Sequence, residues 1–490
     1  MERLFLNLGI QCTENGLWKE AEEAFCKALE LKPNYAHAYS NLGFVLQQTQ
    51  RFAEAEACLR KALALDAKMI SAYNNLSLLL MDTRRWDEAE KVLRQAIQLS
   101  PKTAELHNNL GSVYLETGRP RQAEASFRQA VKSNSAFAEA HYNLGCLFKS
   151  LGRLEAAEDS LRRALKLQPQ YADAQFALAT LYLLRGQFTK GWQSYNALRL
   201  RQHATRAASL PRWQGEDLAG KRLLLFYEQG FGDTLQFCRY IPQAIALAAQ
   251  AAVWVQPQLQ RLLQASWPQL DFYSGEEAPA QEFDYACALP NLPMVFGAAN
   301  DTLSGVSYLT APAADCLQKA SWLKETTAAG TFKIGLVWAG NPQHHNDRNR
   351  SLPLSSLAPL FSLPGISWLS LQAQIPEESA VSWPESFVDA SAQLQDFAAT
   401  AALIANLDLV ITVDSAVAHL AGALGQKVWT LIPFAPDWRW QLKRTDSPWY
   451  ASMRLFRQPK PGDWQTPLAA IRQELERIRS ADRKAREYGD

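Results

Sequence analysis

Three segments of the chain combine glycines, carboxylates and cationic side chains in spacings suited to holding a phosphorylated ligand. The first is Tyr227-Glu-Gln-Gly-Phe-Gly-Asp-Thr-Leu-Gln, directly after the apolar run Arg222–Phe226. Gly230 and Gly232 permit a tight turn with close backbone approach to a ligand, and Asp233 stands at the start of the next helix. The plainer reading of Asp233 is an N-cap or first-turn acid. With no third glycine the segment fails as a dinucleotide fingerprint. The second is Trp338-Ala-Gly-Asn-Pro-Gln-His-His-Asn-Asp-Arg-Asn-Arg-Ser-Leu, a polar, cationic loop suited to gripping a diphosphate. Its adjacent His344 and His345 are poorly placed to share a metal ion. The third runs from Asp408 to Gly425 and contains Asp414-Ser-Ala-Val-Ala-His. Asp414 and Ser415 open a helix whose free N–H groups can bind phosphate, and Gly425 ends it. His419 lies one turn into that helix, where it serves either the ligand or the packing.

Strand-like apolar runs alternating with helical stretches position these segments. The runs are Arg222–Phe226, Ala252–Val255, Phe283–Cys287, Lys333–Trp338, Ile366–Leu371, Leu409–Val413 and Val428–Ile432. Leu235–Ala249, Leu394–Asn406 and Ala416–Leu424 read as helices. Such alternation means doubly wound parallel sheets, here two groups split near residues 315–332. Sheets of this kind bind ligands beyond the carboxyl ends of their strands, so two lobes facing a cleft are expected.

The first two fifths follow a different rule. Gly9, Gly43, Ser77, Gly111, Gly145 and Ala179 are spaced by 34, as are Ala21, Ala55, Ala89, Ala123, Ala157 and Gly191. Small residues at fixed places let two antiparallel helices touch, and Pro33, Pro101 and Pro169 end the second helix of alternate units. This is the tetratricopeptide period, six units across about residues 1–204, and such an array forms a superhelix with a concave groove. Asn7, Asn41, Asn75, Asn109 and Asn143 share one position, although asparagine is a mediocre helix former. Either their amides bond the backbone of an extended peptide, or they brace a neighbouring helix. The series resembles the asparagine ladder of the O-linked N-acetylglucosamine transferases. Residues 205–220 lose the period around Trp213 and read as a packed connector.

The bulk properties narrow the class. A chain of 490 residues is long enough for about three domains, and a formal charge of +1 gives no global field toward nucleic acid or an anionic membrane. Seven scattered cysteines without a CxxC pair read as reduced thiols. No apolar run approaches the roughly 20 residues that span a bilayer, and the first residues lack a signal-peptide pattern, so a cytoplasmic protein is expected.

Together these segments resemble the heptosyltransferase-like family of GT-B glycosyltransferases, in particular bacterial members fused to tetratricopeptide repeats. The resemblance rests on Gly232, Asp233, Leu235 and Pro242, on the loop at 334–350, and on the box at 414–425. PDWRW (436–440) and PWY (448–450) also look typical of the repeat-fused members. It implies an all-α tetratricopeptide superhelix followed by an α/β GT-B domain of two Rossmann-like lobes facing a cleft. The acceptor lobe would span 221–325, the donor lobe 326–463, and a helix at 464–490 would pack back on the first lobe. It further implies Asp233 as general base, with Asn341, Arg348, Arg350, Asp414, Ser415, Ala416 and His419 around the donor's nucleotide diphosphate. Arginines stand where many heptosyltransferases have a lysine. With no Asp-x-Asp in the chain, no metal or other cofactor is expected. The expected partners are a nucleotide sugar and a protein whose Ser or Thr is the acceptor. Surface-glycan or lipid-linked acceptors, or a scaffold with a degenerate catalytic lobe, are the alternatives.

Overall fold

The computed structural model describes every residue except 199–209, 276–281, 300–301, 344–345, 375–382 and 488–490. His344 and His345 therefore lie outside the described residues, as does the expected boundary at residue 204. The chain divides into two compact units, Met1–Ala177 and Leu178–Asp490. The division falls inside the sixth repeat, in the helix Ala172–Leu184.

The first unit is a run of antiparallel helix pairs: Glu2–Glu14 with Trp18–Leu31, Ala36–Gln48 with Phe52–Leu65, Ile70–Asp82 with Trp86–Leu99, Ala104–Glu116 with Pro120–Ser133, and Ala138–Ser150 with Leu154–Leu167. The small-residue position explains how each pair closes. A Cβ at Gly43 would lie 2.6 Å from Leu59, at Gly111 2.5 Å from Phe127, and at Gly145 2.6 Å from Leu161. The turn inside each pair needs a left-handed residue, and Gly16, Gln50, Arg84, Gly118 and Gly152 adopt φ of 71, 61, 56, 74 and 72°. Neighbouring pairs are tied by an ion pair that repeats with the period. Arg51–Glu22, Arg85–Glu56 and Arg119–Glu90 are each 2.6 Å, and Arg153–Glu124 is 2.7 Å.

The second unit holds two parallel sheets. The first contains β1 (Arg222–Phe226), β2 (Gln250–Val255), β3 (Phe272–Ser274) and β4 (Tyr285–Ala288), in the order β3-β2-β1-β4. The second contains β5 (Phe332–Val337), β6 (Ile366–Ser370), β7 (Phe387–Asp389), β8 (Leu409–Val413), β9 (Val428–Ile432) and β10 (Met453–Arg457), in the order β10-β9-β8-β5-β6-β7. β6, β8 and β9 are buried along their whole length, as strands covered on both faces must be. The connector adds to the first sheet's edge: Trp213 N–H donates to Ala286 O at 3.0 Å, and the indole is buried.

Three expectations about the elements change. The expected helix 235–249 begins earlier and breaks, running as helix Phe231–Phe237, a 3-10 turn Cys238–Tyr240 and helix Ile241–Ile245. Pro242, which cannot donate a backbone hydrogen bond, is tolerated because it sits in the first turn of the last piece. The last helix of the sixth repeat, Phe188–Leu198, belongs to the second unit. Its buried Trp192 donates from Nε1 to Ala298 O at 3.0 Å and meets the Trp438 ring edge-on at 5.3 Å. Finally, the C-terminal helix Gln465–Glu487, expected on the first lobe, packs on the second sheet through its described side chains. Its stripe Leu468, Ile471 and Leu475 is buried, Glu474 pairs with Arg454 of β10 at 3.2 Å, and Arg472 donates to Pro359 O at 2.8 Å.

Candidate functional site where the two sheets meet

The segments leaving the carboxyl ends of β1 and β8 pack against each other. After β1 the chain passes Tyr227–Gly230 into the helix Phe231–Phe237; after β8, Asp414 and Ser415 lead into the helix Ala416–Ala423. A Cβ at Gly232 would stand 3.0 Å from His419 Cδ2 and 3.9 Å from Ala416 Cα. Neither Gly230 nor Gly232 takes a left-handed φ. The expected glycine turn is thus a helix start, with Gly230 as N-cap, and Gly232 is small because the other helix lies on it.

Asp233 occupies the first turn of its helix, as the plainer reading of the sequence allowed. Its Oδ1 accepts from Arg439 Nη2 at 2.5 Å. Arg439 sits in the turn Trp438–Trp440, whose N-cap Asp437 accepts from the Arg439 backbone N–H at 3.1 Å and from its Nη1 at 2.9 Å. Nε donates to Gln236 Oε1, and the guanidinium lies 4.4 Å from the Trp438 ring centroid. Against the burial that would discharge it, Asp437 and Asp233 hold the guanidinium charged.

Beside this pair, Asp414 is partly buried. Burial pushes its carboxyl up to about 6, and the Asp437 carboxylate adds to the rise. The charges of Arg350 and Arg439 act the other way. Ser415 is the N-cap of the helix, with its Oγ 3.0 Å from Thr412 Oγ1, and Ala416 is the first helical residue. His419 is enclosed: its ring stacks on Trp440 at 5.2 Å, and Nδ1 lies 2.9 Å from the Tyr450 hydroxyl. Burial, with Arg439 nearby, drops it to about 3, so the imidazole is neutral at physiological pH.

The cationic loop after β5 delivers one arginine to this place. Arg350 Nη1 donates to the Asp414 carbonyl at 3.2 Å, and its Nε pairs with Asp347 at 3.3 Å. Gly340 is required there, because a Cβ would sit 2.5 Å from that guanidinium. Arg348 is exposed, and Asn341 is exposed with its Oδ1 accepting from Gln343 N–H at 2.9 Å.

The reading from sequence left Arg439, Asp437, Arg239 and Tyr450 without a role. Arg239 is a second arginine across the join: Nη2 donates to Trp449 O at 2.7 Å, and the guanidinium lies 4.4 Å from the Tyr308 ring. The signal available was the arginine and tryptophans of PDWRW and the aromatic PWY. Among the described residues, no three His, Cys, Asp or Glu side chains are grouped to hold a metal ion. No described helix is long and apolar enough to cross a membrane.

In the repeat unit the asparagine series divides. Asn109 Nδ2 donates to Asn74 Oδ1 at 2.8 Å and Asn143 Nδ2 to Asn108 Oδ1 at 2.9 Å, each bracing the preceding repeat. Asn7, Asn41 and Asn75 have no hydrogen-bond partner among the described residues.

Comparison with known proteins adds to this geometry. Residues 1–175 match the family described as the cilia and flagella-associated protein 70 C-terminal domain, a tetratricopeptide-type model. Residues 380–457 match glycosyltransferase family 9 (heptosyltransferase), a span that holds Asp414, Ser415, Ala416, His419, Asp437 and Arg439 but not Asp233 or the loop at 338–350. The chain carries tetratricopeptide-type repeats followed by a family 9 glycosyltransferase domain. Protein FlbA of Caulobacter vibrioides is 28% identical over 324 residues, covering 59% of this chain and 52% of its own length. The chain thus spans about half the length of this curated relative. Among solved structures, a thermophilic repeat protein of Thermus thermophilus is 26% identical, with a TM-score of 0.35, over 37% of this chain and 100% of its own. Pseudomonas aeruginosa pilF is 24% identical, with a TM-score of 0.36, over 41% of this chain and 89% of its own.

Proposed function

We propose that the second unit is a GT-B glycosyltransferase that moves a sugar from a nucleoside-diphosphate donor to a hydroxyl. In this reading the acceptor is a Ser or Thr of a polypeptide taken up by the repeats. The observation that carries it is the close approach of Gly232, the residue before Asp233, to Ala416, the first residue of the helix Ala416–Ala423. Glycosyl transfer needs a proton acceptor on the attacking hydroxyl and charge stabilisation on the departing diphosphate. Asp233 serves as the first. The N–H groups opened by Ser415 and Ala416, with Arg350, Arg348 and Asn341 from the neighbouring loop, serve as the second. The enclosed His419 acts by bracing that helix against Gly232. The diphosphate is held without a metal, and Asn7, Asn41 and Asn75 offer their amides to the acceptor backbone.

The test is Asp233→Asn in the full chain. The variant should fold and bind nucleoside diphosphate nearly normally by calorimetry, and transfer should fall about 10²–10⁴-fold. A folded variant that keeps more than about a tenth of the wild-type rate removes Asp233 as the base. Turnover abolished by EDTA and restored by manganese would overturn the metal-free assignment. Replacing Asn41 and Asn75 by Ala should lower transfer to a protein acceptor and leave donor affinity unchanged. Unchanged transfer would move the acceptor away from the repeats.

A further inference from the structure

A buried arginine sets the position of the carboxylate on which that reaction depends. Asp233 and Gln236 are three residues apart and so share one face of the helix Phe231–Phe237. The guanidinium of Arg439, carried by the segment between β9 and β10, lies on that face. All three of its nitrogens donate, Nη2 to Asp233, Nε to Gln236 and Nη1 to Asp437. The guanidinium also lies 4.4 Å from the Trp438 ring centroid and 5.8 Å from that of Phe237. The Arg439 side chain is 11% exposed and that of Asp233 20%. A surface ion pair is loosely held, whereas a guanidinium with fixed plane and fixed donors dictates where its carboxylate can be.

We infer that Arg439 is a positioning residue for glycosyl transfer, holding the Asp233 carboxylate, which follows the first sheet, against the segment between β9 and β10 of the second. This rests on the reading of Asp233 as the base. The geometry separates two duties. Asp437 fixes the arginine within its own turn, while Gln236 and Asp233 receive it from the opposite element. The donor-side helix start is not among its partners, so its loss should affect turnover more than donor binding. The other ionisable groups about the guanidinium are Asp437, Tyr195, Asp414 and His419, and Arg239 acts on His419 from beyond them. His419 is neutral, so Arg439 is the cation paired with Asp233.

Arg439→Lys keeps the charge but not the planar fork; it is the main variant. Gln236→Met is the milder one. It removes the acceptor for Nε and also a buried Nε2 that has no partner, so the fold should tolerate it. Both are made in the full chain and assayed with whichever of UDP-N-acetylglucosamine, GDP-mannose and ADP-glucose the wild type turns over. Melting curves confirm the folded fraction. For Arg439→Lys, kcat should fall about 10–100-fold, in line with the penalty for a misplaced catalytic group, with KM for the donor within about twofold. The acid limb of the kcat profile should move to higher pH, because a carboxylate with a less closely held cation keeps its proton longer. Gln236→Met should lower kcat about threefold to tenfold with the limb unmoved.

If Arg439→Lys folds and retains full kcat with an unmoved acid limb, while Asp233→Asn is inactive, the arginine is structural and only this inference falls. If Asp233→Asn itself retains turnover, the base assignment falls and the positioning role with it. A loss of kcat that merely follows a loss of folded protein in both Arg439→Lys and Gln236→Met also overturns the inference.

Discussion

The two units hold themselves together in opposite ways. In Met1–Ala177 each device recurs every 34 residues: a small residue under a ring or leucine, a left-handed turn, an Arg–Glu pair. In Leu178–Asp490 the polar contacts between the sheets follow no period: Arg439 and Arg239 are buried among tryptophans and tyrosines, while Arg261 pairs with Asp396 at 2.8 Å near the surface. Repetition spreads stability over many small, partly exposed terms, each worth little alone. A buried ionic network concentrates it, and removing one partner leaves a charge uncompensated. The repeat unit should therefore tolerate changes that the catalytic unit does not.

The largest expected effect tests where the second mode begins. A chain starting at residue 205, the boundary read from sequence, lacks Phe188, Trp192 and Tyr195 and uncovers Phe237, Trp438 and Trp449. It should fail to show a cooperative melt, whereas 172–490 should melt as a folded unit. Equal melting of the two would erase the distinction drawn at the sixth repeat.

Next is a pH-dependent substitution. The Asp414 carboxyl, pushed up to about 6 by burial and Asp437, holds its proton more tightly folded than unfolded. Its contribution to stability is present in acid and is lost as pH rises from about 4 through 6. Asp414→Asn should therefore be more stable than wild type at pH 7.5, by on the order of 2–3 kcal/mol, with the gap closing near pH 4. His419, dropped to about 3, acts oppositely, losing stability as pH falls from 6.5, but it is common to both proteins and cancels. Denaturant melts across this range would show a constant gap if Asp414 were not strained by its site.

In the repeat unit, Gly111→Ala drives a methyl into the Phe127 ring and should cost about 1–3 kcal/mol. Adding Phe127→Leu should recover only part of it: the third repeat carries Ser77 and Leu93 at the two places, yet a Cβ at Gly43 would still lie 2.6 Å from Leu59. No recovery in a chemical melt would mean that the repeats are less interchangeable than their period implies. The smallest change is a gain. Gln50 and Arg84 hold left-handed φ where the four other repeats use glycine, so Gln50→Gly or Arg84→Gly should add up to about 1 kcal/mol each.

The repeats were legible because a fixed period repeats the same requirement many times, so Gly43, Gly111 and Gly145 announce their facing residues. The Arg–Glu ties escaped notice because their partners are 29 residues apart, beyond any local pattern. In the second unit the long apolar runs marked the buried strands, but β3 and β7 are three residues each, and β10 alternates with the exposed Arg454. The Asp414–Ala416 helix start could be read from strand-then-helix order. The role of Gly232 could not, since the contact that demands it comes from His419, 187 positions away in the sequence. Likewise nothing in the spacing of Asp233 points to Arg439.

The helix Phe188–Leu198 has a consequence for how such a chain can change over generations. Duplication or loss of a 34-residue module leaves its neighbours intact wherever one joint looks like the next. The last module has a different joint: its Trp192 is committed to Ala298 and Trp438, and no other repeat offers an aromatic residue at that place. Gain and loss of repeats should then be confined to the segment before Leu178, and the sixth module should be inherited with the two-sheet unit as a single cassette.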